Sequence, residues 1–223
     1  MKSHDTLRGN HSVSEVDNGE AGSVHRSTPE KNLSRGRQRS PSQQPRNSHA
    51  DEQMYILTLL ADSSLHSAMN ELRKQYFPPH INRLEAHITL FHALPQSHLD
   101  DRILPSIEDL VANTSPFELG ATTPFKLKKG IAIGLPKDHG GNDARGIHRA
   151  LMRQWEDFLS QQDRSFQAHF TIMNKVDDSK RVGQTFHDLQ DGWKPHFGTA
   201  DGLSLWKYHP KGWELMRHFR FAP

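Results

Sequence analysis

Two four-residue segments of the chain share one pattern of side chains. Residues 87–90 are His-Ile-Thr-Leu and residues 169–172 are His-Phe-Thr-Ile. Both lie in apolar runs bounded by turn residues, which indicates β-strands. Because alternate side chains of a strand share a face, each His points to the same side as its Thr, and the apolar residues point to the other. The pattern therefore predicts two strands that each present a His and a Thr together.

Chance is a poor explanation for this pair of tetrads. The chain has 16 His and 10 Thr among 223 residues, and 34% of its residues are hydrophobic. These frequencies give roughly 0.08 tetrads of this pattern by chance. Two tetrads, both in a strand context, therefore indicate a repeated unit with a shared role.

The elements predicted around the two tetrads follow a similar order. Strand and helix patterns alternate as strand, helix, His strand, helix, and then strands, helix, His strand, helix, strands. The first helix is predicted to be capped near residues 62–64, and Pro105 is predicted to lie in the first turns of the second helix. The predicted His strands span residues 83–91 and 166–176, and the last two strands span residues 202–208 and 213–221. The order predicts a duplicated α+β unit with one His strand in each half.

The first 50 residues differ in composition from the rest. They are rich in Ser, Arg, Gln and Pro, carry a net charge of +3 against +2 for the whole chain, and contain only scattered Leu and Val. Such a segment buries too little apolar surface to offset its ordering entropy, so we predict a disordered basic tail over residues 1–50 and one domain over residues 51–223. Residues 31–46 carry five positive charges and no acid. They are interpreted either as an RNA-contact or nuclear-targeting arm, or as a solvated tail without a specific partner.

The composition also excludes several classes of protein. The chain has no Cys, which excludes disulfides, thiol catalysis and Cys-based zinc sites. It has neither an apolar run of about 18 residues nor a stretch of signal-peptide type, so we expect an intracellular protein, cytoplasmic or nuclear, without membrane contact. No His spacing typical of zinc is present, so no metal and no cofactor are predicted. We expect a monomer.

The paired His and Thr residues suit acid–base chemistry on a phosphate. Hydrolysis of a phosphodiester needs a base for the attacking water and an acid for the leaving oxygen, and His serves both roles near neutral pH. The Thr hydroxyls would hydrogen-bond the non-bridging oxygens. This requires the two strands to face each other across a cleft. Without that, each His is an ordinary polar residue on a solvated strand face, and each Thr is a strand former.

The two tetrads resemble the paired motifs of the two-histidine (2H) phosphoesterase superfamily, which includes 2′-5′ RNA ligases and cyclic nucleotide phosphodiesterases. The resemblance covers residues 51–223. It implies a bilobal α+β fold with antiparallel sheets facing a central cleft, and metal-free action on 2′,3′-cyclic phosphates or 2′-5′ linkages. It also implies catalytic roles for His87 and His169 and phosphate-binding roles for Thr89 and Thr171.

Two further residues are candidates for the site. Lys175 lies shortly after the second tetrad, where many members of the superfamily have a basic residue, and strand alternation places it on the face of His169. This suggests that Lys175 binds phosphate. Its positive charge would also lower the pKa of His169, which would make His169 the base and His87 the acid. Phe91 falls on the face of His87 and could stack a base. The ordinary interpretations are a solvated Lys and a Phe that fills the core.

The sequence therefore predicts a metal-independent phosphoesterase that hydrolyses 2′,3′-cyclic phosphates or 2′-5′ phosphodiesters, with RNA ends or cyclic nucleotides as substrates. One alternative is a non-catalytic RNA-binding module that uses the same cleft and the basic tail. Another is a metalloprotein built on the other His residues. Strand joining, the reverse direction, is a weaker alternative for its physiological activity.

Overall fold

A computed structural model describes residues 52–223 of the protein, and the predicted tail of residues 1–50 lies outside them. Within this described range, eight strands and four α-helices follow one another in the order β1, α1, β2, α2, β3, β4, β5, α3, β6, α4, β7, β8. The strands are β1 (Met54–Ala61), β2 (Ile88–Pro95), β3 (Phe117–Ala121), β4 (Thr123–Leu127), β5 (Gly130–Gly134), β6 (His169–Met173), β7 (His196–His209) and β8 (Gly212–Arg220). The helices are α1 (Ser63–Tyr76), α2 (Leu104–Ala112), α3 (Asn142–Gln154) and α4 (Ser179–Gly192).

The strands form two antiparallel sheets. A five-stranded sheet has the order β2-β1-β7-β3, with β8 also paired to β7, and a three-stranded sheet has the order β4-β5-β6. The long strand β7 pairs with β3 through its first residues and with β8 through its later ones. β2 and β6 are thus edge strands of different sheets, and they contact each other. The α+β fold with antiparallel sheets is confirmed. Each sheet is the centre of one lobe, and the two tetrads lie where the two lobes meet.

The start of α1 shows how local sequence sets the helix boundaries. The N-cap residue Asp62 accepts hydrogen bonds from the backbone N–H groups of Ser64 and Leu65, at 2.8 and 3.0 Å. These bonds satisfy donors that the first turn of a helix leaves unpaired. The same carboxylate also accepts from the backbone N–H of Thr199 in β7. The predicted cap is confirmed, and so is the place of Pro105 in the first turn of α2.

Two helices pack across the two sheets. α1 precedes β2 in the chain but packs against β6, whereas α3 precedes β6 but packs against β2. At the first contact, the Arg73 guanidinium donates a hydrogen bond to the carbonyl of Thr171 at 2.6 Å. At the second, the Phe91 ring stacks on His148 with centroids 4.7 Å apart and meets the edge of Trp155 at 4.9 Å. Each His strand is therefore supported by the helix that leads into the other His strand.

One hydrophobic core runs through both lobes. It includes Leu57 and Ile88 from the larger sheet, Phe170 and Ile172 from the smaller one, and Trp155 after α3. Because burying apolar surface is the main stabilising term in folding, the shared core holds the lobes in a fixed relation. None of the helices within residues 52–223 is long and apolar enough to cross a membrane.

Candidate active site

The two tetrad histidines are held in matching ways. His87 immediately precedes β2, and its Nδ1 lies 2.6 Å from the carbonyl oxygen of Glu85. His169 opens β6, and its Nδ1 lies 2.7 Å from the carbonyl oxygen of Gln167. Since a carbonyl only accepts, Nδ1 carries the proton in both rings and Nε2 keeps its lone pair. Each ring is thus fixed by the backbone two residues earlier, with Nε2 as the atom that can take a proton.

The tetrad threonines flank the same junction. Thr89 pairs with Thr58 of β1, and Thr171 pairs with Ala132 of β5. Both threonines are half-buried, while the apolar residues on either side of each are buried. The alternation expected of a half-buried strand therefore holds within each tetrad, and each Thr lies on the face of its His.

Both His strands contain an extra residue directly after the Thr. In β2, Thr89 is opposite Thr58 and Phe91 is opposite Leu57, so Leu90 is the added residue. In β6, Thr171 is opposite Ala132 and Met173 is opposite Ile131, so Ile172 is the added residue. Such a bulge shifts the alternation of side chains by one position. The two lobes therefore share the tetrad and the irregularity that follows it.

The bulge in β2 overturns the prediction that Phe91 stacks a base. Phe91 is opposite Leu57, on the core face, and its side chain is 0% exposed. Its ring is already covered by His148 and Trp155. The prediction was wrong because it extended strict alternation through a bulge. Phe91 is a core residue.

The same bulge brings His92 to the face of His87 and Thr89. Buried Phe91 is followed by His92, whose side chain is 45% exposed. The positive charge of His92 lowers the pKa of both His87 and His169. The bulge therefore places His92 on the face of the first tetrad, although no sequence pattern distinguishes it from the other histidines.

The bulge in β6 likewise moves Lys175 off the face of His169. β6 ends at Met173, and Lys175 follows in a left-handed turn with φ 59°, where its backbone N–H donates to Asn174 Oδ1. The groups that shift the pKa of His169 are the buried surroundings, the Gln167 carbonyl and His92, not Lys175. Lys175 therefore does not continue the strand alternation on which its placement beside His169, and the assignment of the base to His169, depended. A phosphate contact by Lys175 has no support from its position.

Burial and neighbouring charges lower the pKa of both tetrad histidines. Burial lowers the pKa of His87 most, the hydrogen bond to Glu85 opposes this, and charges on Arg73, His92 and His169 add to the lowering, to a value of about 4. Burial also lowers the pKa of His169, helped by His92 and opposed by the bond to Gln167. Since the charge of His169 contributes to the lowered pKa of His87, the two imidazoles are close enough to interact electrostatically. Both rings favour the neutral form that a base requires.

Arg73 is a residue of this region that was not predicted from the sequence. It lies on the buried face of α1 with Leu65 and Met69, and burial lowers its pKa to about 10. Its guanidinium donates to the carbonyl of Thr171 and to Oδ1 of Asn82. It thus supports the second tetrad from behind. The signal was present, because a spacing of four residues places Arg73 on the same stripe as Leu65 and Met69.

Aromatic residues of the β7–β8 hairpin lie beside the His87 ring. The Trp213 ring is 4.6 Å from the His87 ring, and Trp206 is 6.3 Å from Trp213. Trp206 donates its indole N–H to the hydroxyl of Thr58 at 2.9 Å, which fixes its orientation. The hairpin therefore covers one side of His87 with an apolar wall. Within residues 52–223, no group of three or more His, Asp or Glu is placed to hold a metal ion.

The model of the 2′-5′ RNA ligase superfamily matches residues 61–212, which include both tetrads. The chain belongs to this superfamily. Its membership confirms the resemblance to the two-histidine phosphoesterases and supports a phosphoesterase activity in general terms. No curated protein sequence matches the chain.

Solved structures share the fold at low sequence identity. The chain is similar to LigT of E. coli in its apo form, with 11% identity, a TM-score of 0.54, and coverage of 78% of this chain and 100% of LigT. LigT in complex with 3′-AMP matches with 12% identity, a TM-score of 0.55 and the same coverage. The protein TT0787 of Thermus thermophilus matches with 16% identity, a TM-score of 0.51, and coverage of 75% of this chain and 97% of TT0787.

Proposed function

We propose that the protein is a metal-independent phosphoesterase that hydrolyses 2′,3′-cyclic phosphates or 2′-5′ phosphodiesters on RNA ends or nucleotides. The observation that carries this proposal is the matched pair of imidazoles at the junction of two edge strands. Each donates from Nδ1 to the backbone, and each stands beside a Thr. This arrangement supplies two proton-transfer groups and two hydroxyl donors for one phosphate.

In the proposed reaction His87 is the general base. Its pKa of about 4 keeps Nε2 unprotonated at neutral pH, ready to take a proton from water. The water oxygen then forms a bond to phosphorus. This assignment reverses the one that rested on Lys175, because Lys175 lies in a turn beyond the end of β6.

His169 is the general acid in the same step. The bond from phosphorus to the ribose oxygen breaks, and the proton on Nε2 of His169 passes to that oxygen. The products are a phosphate monoester and a ribose hydroxyl. The pKa of His169 is lowered in the free protein, but a bound phosphate anion favours the imidazolium and so raises the pKa in the complex. The bound substrate thereby favours protonation of His169, the general acid.

Thr89 and Thr171 are assigned to the non-bridging phosphate oxygens. Each Thr lies on the face of its His, so the two hydroxyls approach the phosphate from opposite lobes. Hydrogen bonds from both sides would hold phosphorus in line between the two imidazoles. LigT of E. coli is known in complex with 3′-AMP and with phosphate, which supports nucleotide phosphates as the ligand class.

The test is turnover by the full chain in excess chelator. Nucleoside 2′,3′-cyclic phosphates and 2′-5′-linked dinucleotides are incubated with the protein and EDTA, and products are separated by chromatography. We expect conversion to a phosphate monoester at an unchanged rate after chelation. Binding of these compounds without any turnover would support the RNA-binding module instead. Loss of activity on chelation, with rescue by one divalent ion, would support the metalloprotein.

The pH dependence of cyclic phosphate hydrolysis follows from the two lowered pKa values. In the free protein the productive form has His87 neutral and His169 protonated. Because the pKa of His87 is about 4 and that of His169 is also lowered from 6.5, kcat/KM should peak below pH 6.5 and fall on both sides. The optimum of kcat should lie higher, because the bound anion raises both pKa values. The two limbs of the pH profile report apparent pKa values of the coupled pair His87 and His169, not of either residue alone. A kcat/KM profile still rising above about pH 8 would contradict this assignment.

A further inference from the structure

The candidate site contains a third histidine, which is held by a carboxylate. The backbone N–H of His92 donates to Oδ1 of Asp163 at 2.6 Å, and Nδ1 of the His92 ring lies 3.3 Å from the same oxygen. Because a carboxylate oxygen accepts, Nδ1 carries the proton and Nε2 is directed away from Asp163. The half-exposed ring is therefore aimed by a carboxylate, as His87 and His169 are aimed by carbonyls.

Asp163 is an unusual partner because its side chain is 0% exposed. Its other carboxylate oxygen accepts from the Ser160 hydroxyl at 2.8 Å, and its carbonyl accepts from Nε2 of His148 at 2.9 Å. His148 is itself stacked between Phe91 and Phe166. An isolated ionised carboxylate is costly to bury without a compensating positive charge. Of the groups that bond this carboxylate, His92 is the one that can become a cation.

The charge of His92 acts on the cleft. The extra residue Leu90 places His92 on the strand face of His87 and Thr89, and its charge lowers the pKa of both His87 and His169. Arg73, the other cation that affects His87, is buried and donates to Thr171 and Asn82. Lys175 lies in a turn beyond the end of β6. His92 is therefore the half-exposed basic side chain that follows the first tetrad on the same strand face.

We propose that His92, anchored by Asp163, binds a non-bridging phosphate oxygen of the substrate through Nε2 and supplies the positive charge of the site. This rests on the proposed function for the identity of the substrate. The binding step itself requires only an anion of phosphate shape. Asp163 is a positioning residue, since it acts through His92, and the bulge at Leu90 is the backbone feature that delivers His92 to the cleft.

The test measures binding of inorganic phosphate by calorimetry, together with KM and kcat on a cyclic phosphate. His92→Gln keeps a hydrogen-bonding side chain and removes the charge, so we expect the phosphate Kd and the KM to rise about 10- to 100-fold, with kcat changing less. His92→Lys should restore most of the affinity. Asp163→Asn should weaken phosphate binding in the same direction. The double variant with His92→Gln and Asp163→Asn should bind phosphate little more weakly than His92→Gln alone, because Asp163 acts only through His92.

His139 provides a matched control. It is 38% exposed and bonds the Glu118 carboxylate at 2.7 Å, beside β3 at the sheet edge opposite β2. His139→Gln should leave phosphate affinity unchanged. Wild-type affinity in a folded His92→Gln variant would overturn the inference, and so would failure of His92→Lys to improve on Gln. If His92 governs phosphate binding but no diester is cleaved, the proposed function fails and this inference stands. If diesters are cleaved and KM is unchanged in the His92 variants, the inference alone fails.

Discussion

His87→Ala and His169→Ala should each lower turnover of a cyclic phosphate by about 10²–10⁴-fold, the usual contribution of a general acid or base. Both side chains are half-buried. The hydrogen bond described for each ring goes to the backbone carbonyl two residues earlier. Their loss should therefore leave the fold intact, which circular dichroism and thermal unfolding would show. Because the two residues act in one step, the double variant should be little worse than the poorer single variant.

His187→Ala is the control for this pair. His187 lies on α4 with 69% of its side chain exposed and pairs with Asp191 in the next turn. Its removal should not change turnover. If either tetrad variant keeps near wild-type turnover on every diester that the protein cleaves, the two-histidine mechanism is wrong.

An activated leaving group should rescue His169→Ala but not His87→Ala. A 4-nitrophenyl ester of a nucleotide releases an aryl oxide that needs no proton, so the acid becomes dispensable while the base does not. On this substrate we expect His169→Ala to recover to within about tenfold of wild type. His87→Ala should keep the full deficit measured on the cyclic phosphate.

The comparison requires both substrates to be assayed with the same enzyme preparations and at the same pH. Preferential rescue of His87→Ala would exchange the two roles and return the base to His169. Equal failure of both variants on the aryl ester would show that neither His donates a proton in the rate-limiting step.

Features encoded locally could be predicted from the sequence. The cap at Asp62 was one, because a carboxylate before a helix has a simple hydrogen-bonding role. The two tetrads were another, since alternation holds from His87 to Thr89 and from His169 to Thr171. The stripe of α1 also contained Arg73 at a spacing of four, although its importance becomes visible only when β6 is found packed against it.

Features set by pairing between strands could not be predicted. A bulge depends on how two distant strands align, and neither Leu90 nor Ile172 differs in type from an ordinary strand residue. The error at Phe91, the error at Lys175 and the omission of His92 all follow from these two added residues. The partnership of His92 with Asp163 joins residues 71 positions apart, which composition and periodicity do not reveal.

The packing of α1 against β6 and of α3 against β2 bears on how the chain can be divided. The chain passes from the larger sheet to the smaller one after β3 and returns to the larger sheet with β7, which joins β1 to β3. A cut between β3 and β4 would therefore leave the first His strand in one fragment, and its supporting helix α3 and the joining strand β7 in the other. Because each fragment lacks elements that the other supplies, we expect them to regain a shared site only by reassociating.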